Sequence, residues 1–341
     1  MKSLIGLLPK GLLDIIGDIH GEIEALTNLL KNLGYNNQCE HPEGRSLVFV
    51  GDLVDRGPDS PAVVALVRAL VESGRASAII GNHELNLLRG LHKEGNSWFW
   101  ESAVAEQEAI LKFFATLPLA LSHENLRVVH AAWYGPAVEK LGIFGNVGSL
   151  TELFKVLEDK INTDLQAEGW LEGEKKEKDE WGGKIREKHA VVPILSHLQH
   201  CEEARQNLNP LKALNSGLEG KVEKPFWTNG KWRFLCRLKW WDEYVDEIPV
   251  VVGHYWRQFL PFAKSWVEKD DPNLFAGLEP TAWVGKRGNV FCVDYSVGAR
   301  SHERLHGKAG ERTKLGALRW PERVLVLDTG EIIPTIGFKD T

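Results

Sequence analysis

Three short segments near the start of the chain carry side chains that could hold metal ions. They are Gly17-Asp18-Ile19-His20-Gly21, Gly51-Asp52-Leu53-Val54-Asp55-Arg56-Gly57 and Gly81-Asn82-His83-Glu84. Further along, His130 follows the apolar run Leu126 to Val129, and His254 follows Val250-Val251-Val252-Gly253. Mixed carboxylate, amide and imidazole ligands suit Mn, Fe or Zn. Two such ions about 3.5–4 Å apart can clamp the attacking and leaving oxygens of an in-line displacement. A pair of this kind needs one bridging carboxylate, and Asp52 is the candidate. Asp18 and His20 complete one ion's protein ligands; two residues apart on an extended segment, their side chains point the same way. Asn82, His130 and His254 complete the other.

These residues need elements to hold them. Each of the three N-terminal segments follows an apolar run that reads as a buried strand: Leu12 to Ile16, Leu47 to Val50 and Ala78 to Ile80. Loops at the carboxyl ends of strands are where open α/β sheets bind ligands. Glu22 to Leu33 has apolar residues at Ile23, Leu26, Leu29, Leu30 and Leu33, a helical period. Pro61 to Val71 repeats that pattern, and Trp98 to Leu117 reads as one longer helix ending at Pro118. Residues 11–134 thus alternate strand and helix, the signature of a layered α/β core. Residues 135–248 differ. Leu150 to Ile161 is amphipathic, and Glu172 to His189 is a charged run that reads as a solvated helix or loop. Strand patterns return at Val250, at Asn289 to Val293 and at Arg323 to Leu327. The expected organisation is a core of residues 1–134 and 249–341, with 135–248 inserted as a mainly helical cap.

Composition narrows the class. The 341 residues are 43% apolar, enough for a full soluble core, and the formal net charge is −6. That charge leaves no basic footprint for bulk nucleic-acid binding. The four cysteines have no paired spacing and read as reduced thiols of a cytoplasmic protein. Leu4 to Leu8 is apolar, but Pro9 and Lys10 interrupt it, so neither a signal peptide nor a membrane span is expected.

Taken together, the motifs GDIHGE at 17–22, GDLVDRGPDS at 51–60, GNHE at 81–84, the strand ending in His130 and GH at 253–254 resemble those of the calcineurin-like metallophosphoesterases. The likeness is closest to the phosphoprotein-phosphatase branch, which includes bacterial serine/threonine phosphatases and symmetrical dinucleoside tetraphosphatases. It implies an α/β fold with a layered β-sandwich flanked by helices, and two divalent metal ions. It also implies roles. His83 would be the general acid, Asp55 would hold its ring, and Arg56 would bind phosphate oxygens with its planar guanidinium. A second phosphate-binding arginine is expected from the cap side, with Arg233, Arg237 and Arg257 as candidates; Arg237 is carried forward. Tyr295, in FCVDYSVG at 291–298, is expected over the pocket. Glu84 is expected to close the first turn of the following helix. Two departures stand out: Ala131-Ala132-Trp133 follows His130 where the family commonly has Gly-Gly, and Trp256 stands where many phosphoesterases outside the branch have a second histidine.

The implied reaction is hydrolysis of phosphate monoesters by a metal-bridged hydroxide, the substrate being a phosphoserine or phosphothreonine protein or a small phosphate ester. Symmetrical hydrolysis of diadenosine tetraphosphate is the alternative. A metal-binding scaffold that recognises phosphorylated partners without turnover is the alternative of another class, although no ligand and no His83 is missing. Substrate choice is expected to rest on residues 135–248 and on the loop at 260–288, where no motif is legible.

Overall fold

The computed structural model describes residues 3–144, 148–228, 230–261, 272–306 and 308–339. Part of the loop expected to shape substrate choice, residues 262–271, lies outside the described residues. Two sheets stand at the centre. One runs, in spatial order, β1 (Ile5–Leu7), β5 (Ala120–His123), β6 (Leu126–Val129), β9 (Val250–Val252) and β10 (Val290–Cys292). The other runs β13 (Ile332–Pro334), β12 (Val324–Leu327), β11 (Gly316–Trp320), β2 (Leu13–Ile16), β3 (Ser46–Phe49) and β4 (Ala76–Ala78). Within each sheet the site-bearing strands are parallel: β2, β3 and β4 in one, and β6, β9 and β10 in the other.

Strand alternation explains how the sheets pack. Successive side chains point to opposite faces. Leu13 and Ile15 of β2, Val48 of β3, Val128 of β6, Val251 of β9 and Phe291 of β10 share one buried cluster between the sheets. Their strand neighbours Ile16, Leu47, Phe49, Val129, Val250, Val252 and Cys292 face the other way, into a second cluster with the helices. There lie Leu26, Leu29 and Leu30 of α1 (Ile23–Leu33), and Val63, Val64 and Val67 of α2 (Ser60–Glu72). Each such fully buried side chain contributes roughly 1.5–3 kcal/mol. The layering is a β-sandwich flanked by helices, as the motifs implied.

The stretch expected as one helix from Trp98 to Leu117 is two. After α3 (Asn82–Leu88) come α4 (Ser97–Trp100) and α5 (Val104–Phe114), separated by an extended Ala103 with ψ 143°. Side chains compete with the helical ladder here. Ser102 Oγ donates to Phe99 O at 2.7 Å, and the Asn96 amide oxygen accepts from Lys93 N and Trp100 Nε1.

Between β6 and β9 the chain forms α6 (Gly135–Phe144), α7 (Leu150–Ala167), α8 (Trp170–Trp181), α9 (Ser196–Asn207) and α10 (Pro210–Ser216). A hairpin that the sequence did not announce follows, β7 (Glu219–Thr228) with β8 (Lys231–Arg237). Leu141 of α6, Phe154 of α7 and Leu214 of α10 belong to the same cluster as the central helices. Val192, Leu195, Leu198 and Phe234 form a separate one under the hairpin. The charged run is mostly exposed helix; Glu174 is the buried exception, held by Arg205 at 2.6 and 2.8 Å. The short helix α11 (Arg300–His306) follows β10. No helix among the described residues is long and apolar enough to cross a membrane.

Candidate metal centre

The carboxyl ends of five strands meet at one place. Asp18 and His20 leave β2, Asp52 leaves β3, and Asn82 and His83 open α3 after β4. His130 leaves β6 and His254 leaves β9. His20, Asp52 and His83 bring ligand atoms within 4.8 Å of one another, and so do Asp52, His130 and His254. Asp52 belongs to both groups. Its Oδ2 lies 3.8 Å from His20 Nε2, 3.9 Å from His83 Nε2 and 3.3 Å from His130 Nε2. Asp18 Oδ2 is 4.0 Å from His20 Nε2, and Asn82 Oδ1 is 3.2 Å from His130 Nε2 and 2.9 Å from His254 Nδ1.

The backbone is forced to make this geometry. Nine described residues other than glycine have positive φ, and seven of them lie here: His20, Asp52, Asp55, Arg56, His254, Trp256 and Ser296. Such conformations cost of order 1–3 kcal/mol each and persist only where their surroundings over-determine them. The surroundings are visible. Ile19 N and His20 N both donate to Asp52 O at 2.9 Å, tying the first loop to the second. Glu84, fully buried, does more than close a helical turn. Its carboxylate accepts from Gly81 N at 2.8 Å, Asp52 N at 2.9 Å and Leu53 N at 2.8 Å, so it clamps the second loop to the third. Asp18 accepts from His254 N at 3.0 and 3.2 Å, which joins the two sheets across the site.

The donor set fits a pair of cations. His20 Nδ1 donates to Val54 O at 3.1 Å and His130 Nδ1 donates to Val50 O at 2.8 Å. Both rings therefore turn Nε2 toward the cluster, the arrangement that prepares a histidine as a ligand. The electrostatics agree. Burial, with Asp294 and Asp52 close by, pushes the Asp18 carboxyl well above its ordinary range. Burial would lower His130, but Asp52 outweighs it and raises the imidazole to about 10. Burial and Asp52 push Glu84 up to about 7. Burial comes first at Asp18 and Glu84 and the neighbouring carboxylates second, while at Asp52 burial is outweighed by His130, His83 and His20, which hold it well below its ordinary range; a divalent cation would stabilise the same buried carboxylates. His20 and His254 are held well below their ordinary value, first by burial and then by Arg56 and Arg237 respectively, so each is a neutral imidazole able to ligate.

His83, a member of the first group, also pairs with a second carboxylate. His83 Nδ1 lies 2.6 Å from Asp55 Oδ2, and Trp98 Nε1 donates to the other Asp55 oxygen at 2.8 Å. Arg56 NH1 donates to His20 Nε2 at 2.9 Å.

The three candidate arginines separate cleanly. Arg257 is fully buried and spends its NH2 on Glu279 O and Ala282 O at 2.8 and 2.6 Å. Arg233 pairs with Glu219 at 3.1 Å. Arg237, at the end of β8, has its Cζ 5.9 Å from the Tyr255 ring, which in turn packs edge-on against His254 at 5.2 Å. Tyr295 corrects the expectation for it. Its hydroxyl donates to Pro280 O at 2.8 Å, and its ring packs with Leu325 and Leu327 in the core. Asp294 takes the inward direction at this strand end, so its neighbour points away. The aromatic beside the ligands is Tyr255. Ala131 and Ala132, at the Gly-Gly departure, are completely buried, and Ala131 N donates to Leu214 O at 2.9 Å.

Curated relatives share parts of this chain. The asymmetrical bis(5'-nucleosyl)-tetraphosphatase of Oceanobacillus iheyensis is 50% identical over 138 residues, 35% of this chain and 54% of that protein. Its counterpart in Halalkalibacterium halodurans is 32% identical over 160 residues, 39% of this chain and 65% of that protein. The symmetrical enzyme of Ralstonia nicotianae is 36% identical over 121 residues, 34% of this chain and 40% of that protein. The chain thus spans between 40% and 65% of the length of these three relatives. Among solved structures, a cold-active protein-tyrosine phosphatase of a psychrophilic Shewanella covers 97% of this chain and 84% of its own at 14% identity, with a TM-score of 0.49, too loose a likeness to argue from. The model of one family, calcineurin-like phosphoesterase, matches residues 12–255 and so takes in every candidate ligand from Asp18 to His254. That match covers more than half of the chain, and the protein belongs to the calcineurin-like phosphoesterase family.

Proposed function

We propose that this protein hydrolyses phosphate esters with two divalent cations, Mn, Fe or Zn, held by Asp18, His20, Asp52, Asn82, His130 and His254. The observation that carries the reading is the Asp52 carboxylate, which belongs to both groups of ligand atoms. When bound, the cations would lower the pKa of a water molecule and neutralise charge on the phosphoryl group. The chain's own residues do the rest. His83 carries a proton at Nε2 to the leaving oxygen, with Asp55 holding Nδ1 and Trp98 holding Asp55. Arg56 and Arg237 bind the non-bridging oxygens, where electrostatic stabilisation is the largest expected contribution. The inserted cap, residues 135–248, delivers Arg237 through its hairpin and borders the substrate. All four cysteines are free, which supports a cytoplasmic protein.

Phosphate monoesters, on proteins or on small molecules, are the first substrate class, supported by the retained Asp55-Arg56 pair. Dinucleoside tetraphosphates are the second, supported by the names of the relatives. The test is steady-state hydrolysis with Mn²⁺ of p-nitrophenyl phosphate, a phosphothreonine peptide and diadenosine tetraphosphate, with Asp52→Asn as control. Turnover that disappears in the control, together with the metal, is the expected result. Preference for the dinucleotide selects the second class, and its products tell symmetrical from asymmetrical cleavage. Two bound metals with no turnover on any ester would overturn hydrolysis in favour of a phosphate-recognising scaffold.

A further inference from the structure

Arg56 is a long, flexible cation in a place where its direction matters. Among the described residues no ion pair within 4.0 Å engages its guanidinium, although Asp52, Asp294, Asp18 and Asp55 all act on it electrostatically. Two contacts define it. NH1 donates to His20 Nε2, and Cζ sits 4.9 Å from the centroid of the Trp256 ring. The first contact uses the lone pair that His20 would offer to a metal ion. Once that lone pair is taken, the indole is the contact that remains.

The backbone that carries the indole is firmly placed. Trp256 N donates to Asp294 Oδ2 at 2.8 Å, and Ser296 N donates to Asp294 Oδ1 at 2.8 Å. Asp294 is buried, and Trp256 and Ser296 hold φ of 52° and 62°. One carboxylate thus locks two strained loops together. Gly298, on the second of these loops, closes the space further. A Cβ there would lie 2.8 Å from Arg56 NH1 and 2.5 Å from His20 Cδ2, so the chain approaches the guanidinium as closely as it can without a side chain.

We propose that Trp256 is a positioning residue for Arg56: its ring holds the guanidinium flat by a cation–π contact and leaves the N–H edges free to fork onto phosphoryl oxygens. The proposal rests on the phosphate-binding reading of Arg56. Trp256 acts through Arg56 and touches no reacting atom.

The test is a double-mutant cycle on the metal-loaded protein, read by calorimetric affinity for inorganic phosphate and by metal content. Trp256→Leu is expected to weaken phosphate binding about threefold to tenfold, the range of a partly desolvated cation–π contact. Metal content should stay unchanged, and for esters KM should rise more than kcat falls. Trp256→Phe, which keeps an aromatic face, should retain most of the affinity. In an Arg56→Ala background, Trp256→Leu should add nothing. An equal loss in both backgrounds would overturn the proposal. So would loss of metal in Trp256→Leu, since the residue would then be supporting His254. If Arg56→Ala leaves phosphate affinity unchanged while metal and turnover persist, the phosphate role of Arg56 fails and Trp256 falls with it. Hydrolysis by the other groups would still stand.

Discussion

Replacing Gly253 by alanine should disturb the proposed metal site without removing any of its proposed ligands. The residue precedes His254, and its amide donates to His130 O at 2.9 Å. A Cβ built there would stand 2.0 Å from Asp18 Oδ1 and 2.9 Å from Val50 Cγ2. Ordinary contact begins at 3.4 Å, so the carboxylate and the new methyl must separate by the difference, 3.4 − 2.0 = 1.4 Å. Metal–ligand distances tolerate only about 0.2 Å, and functional constellations about 0.5 Å. Asp18 cannot move that far and still ligate, because His254 N holds the same carboxylate at 3.0 and 3.2 Å. The expected loss in metal affinity is therefore tenfold to a hundredfold or more, about 1.4–2.8 kcal/mol. Overpacking adds about 1–3 kcal/mol of lost fold stability. The assay is metal content after dialysis against a graded chelator, alongside urea denaturation of the metal-free protein. Gly142→Ala, inside α6 with nothing within 4 Å of its Cβ, is the control and should keep its metal. A Gly253→Ala protein that holds both ions with wild-type affinity would refute the account of how the two sheets share Asp18.

His83→Ala should lower turnover by about 10²–10⁴-fold, the usual range for a general acid, with metal retained by elemental analysis; loss of both metals would make His83 a ligand. Glu84→Ala strips the acceptor from three buried amides, those of Gly81, Asp52 and Leu53. At about 1 kcal/mol or more for each, denaturation should register a loss of about 3 kcal/mol, and metal occupancy should fall as Asp52 loosens. Arg45, buried, bonds Asp14 at 3.1 Å and Glu322 at 2.6 Å. Arg45→Ala leaves Asp14 buried with fewer partners and should cost about 3–5 kcal/mol by denaturation, with metal binding per folded molecule unchanged. A loss below about 1 kcal/mol would mean that Tyr35 and Arg319 suffice to hold Asp14.

That these side chains converge was legible in the sequence because each lies shortly after a short apolar strand, a pattern confined to a few neighbouring residues. The strands themselves read well where both faces are buried, as at β2, β3 and β9. The edge strand β1, half exposed and pairing with β5, carried no such contrast. The helix read from Trp98 to Leu117 failed because periodicity cannot see Ser102 and Asn96 diverting local hydrogen bonds. Tyr295 differs for a related reason: it lies next to the site in sequence, but Asp294 takes the direction toward the site and the Tyr295 ring turns away from it into the core beside Leu325 and Leu327. The choice among Arg233, Arg237 and Arg257 was open because all three lie within about twenty residues of His254 in the chain, and only the packing of the β7–β8 hairpin against Tyr255 and His254 separates them.

The local sequence encodes which oxygens and imidazoles are available and which strands deliver them, and it puts Asp52 at the centre of the candidate site. Those facts are local, since a strand's burial and the turn that ends it depend on adjacent residues. Tertiary structure alone decided how the groups are held and aimed. Glu84 joins two loops, Asp18 and His254 join two sheets, Trp98 holds Asp55, and Trp256 holds Arg56. Each is a contact between segments far apart in the chain, where only the packed layers set the distance. No pattern of neighbouring residues encodes such a distance, because it is fixed by the sum of every layer between them.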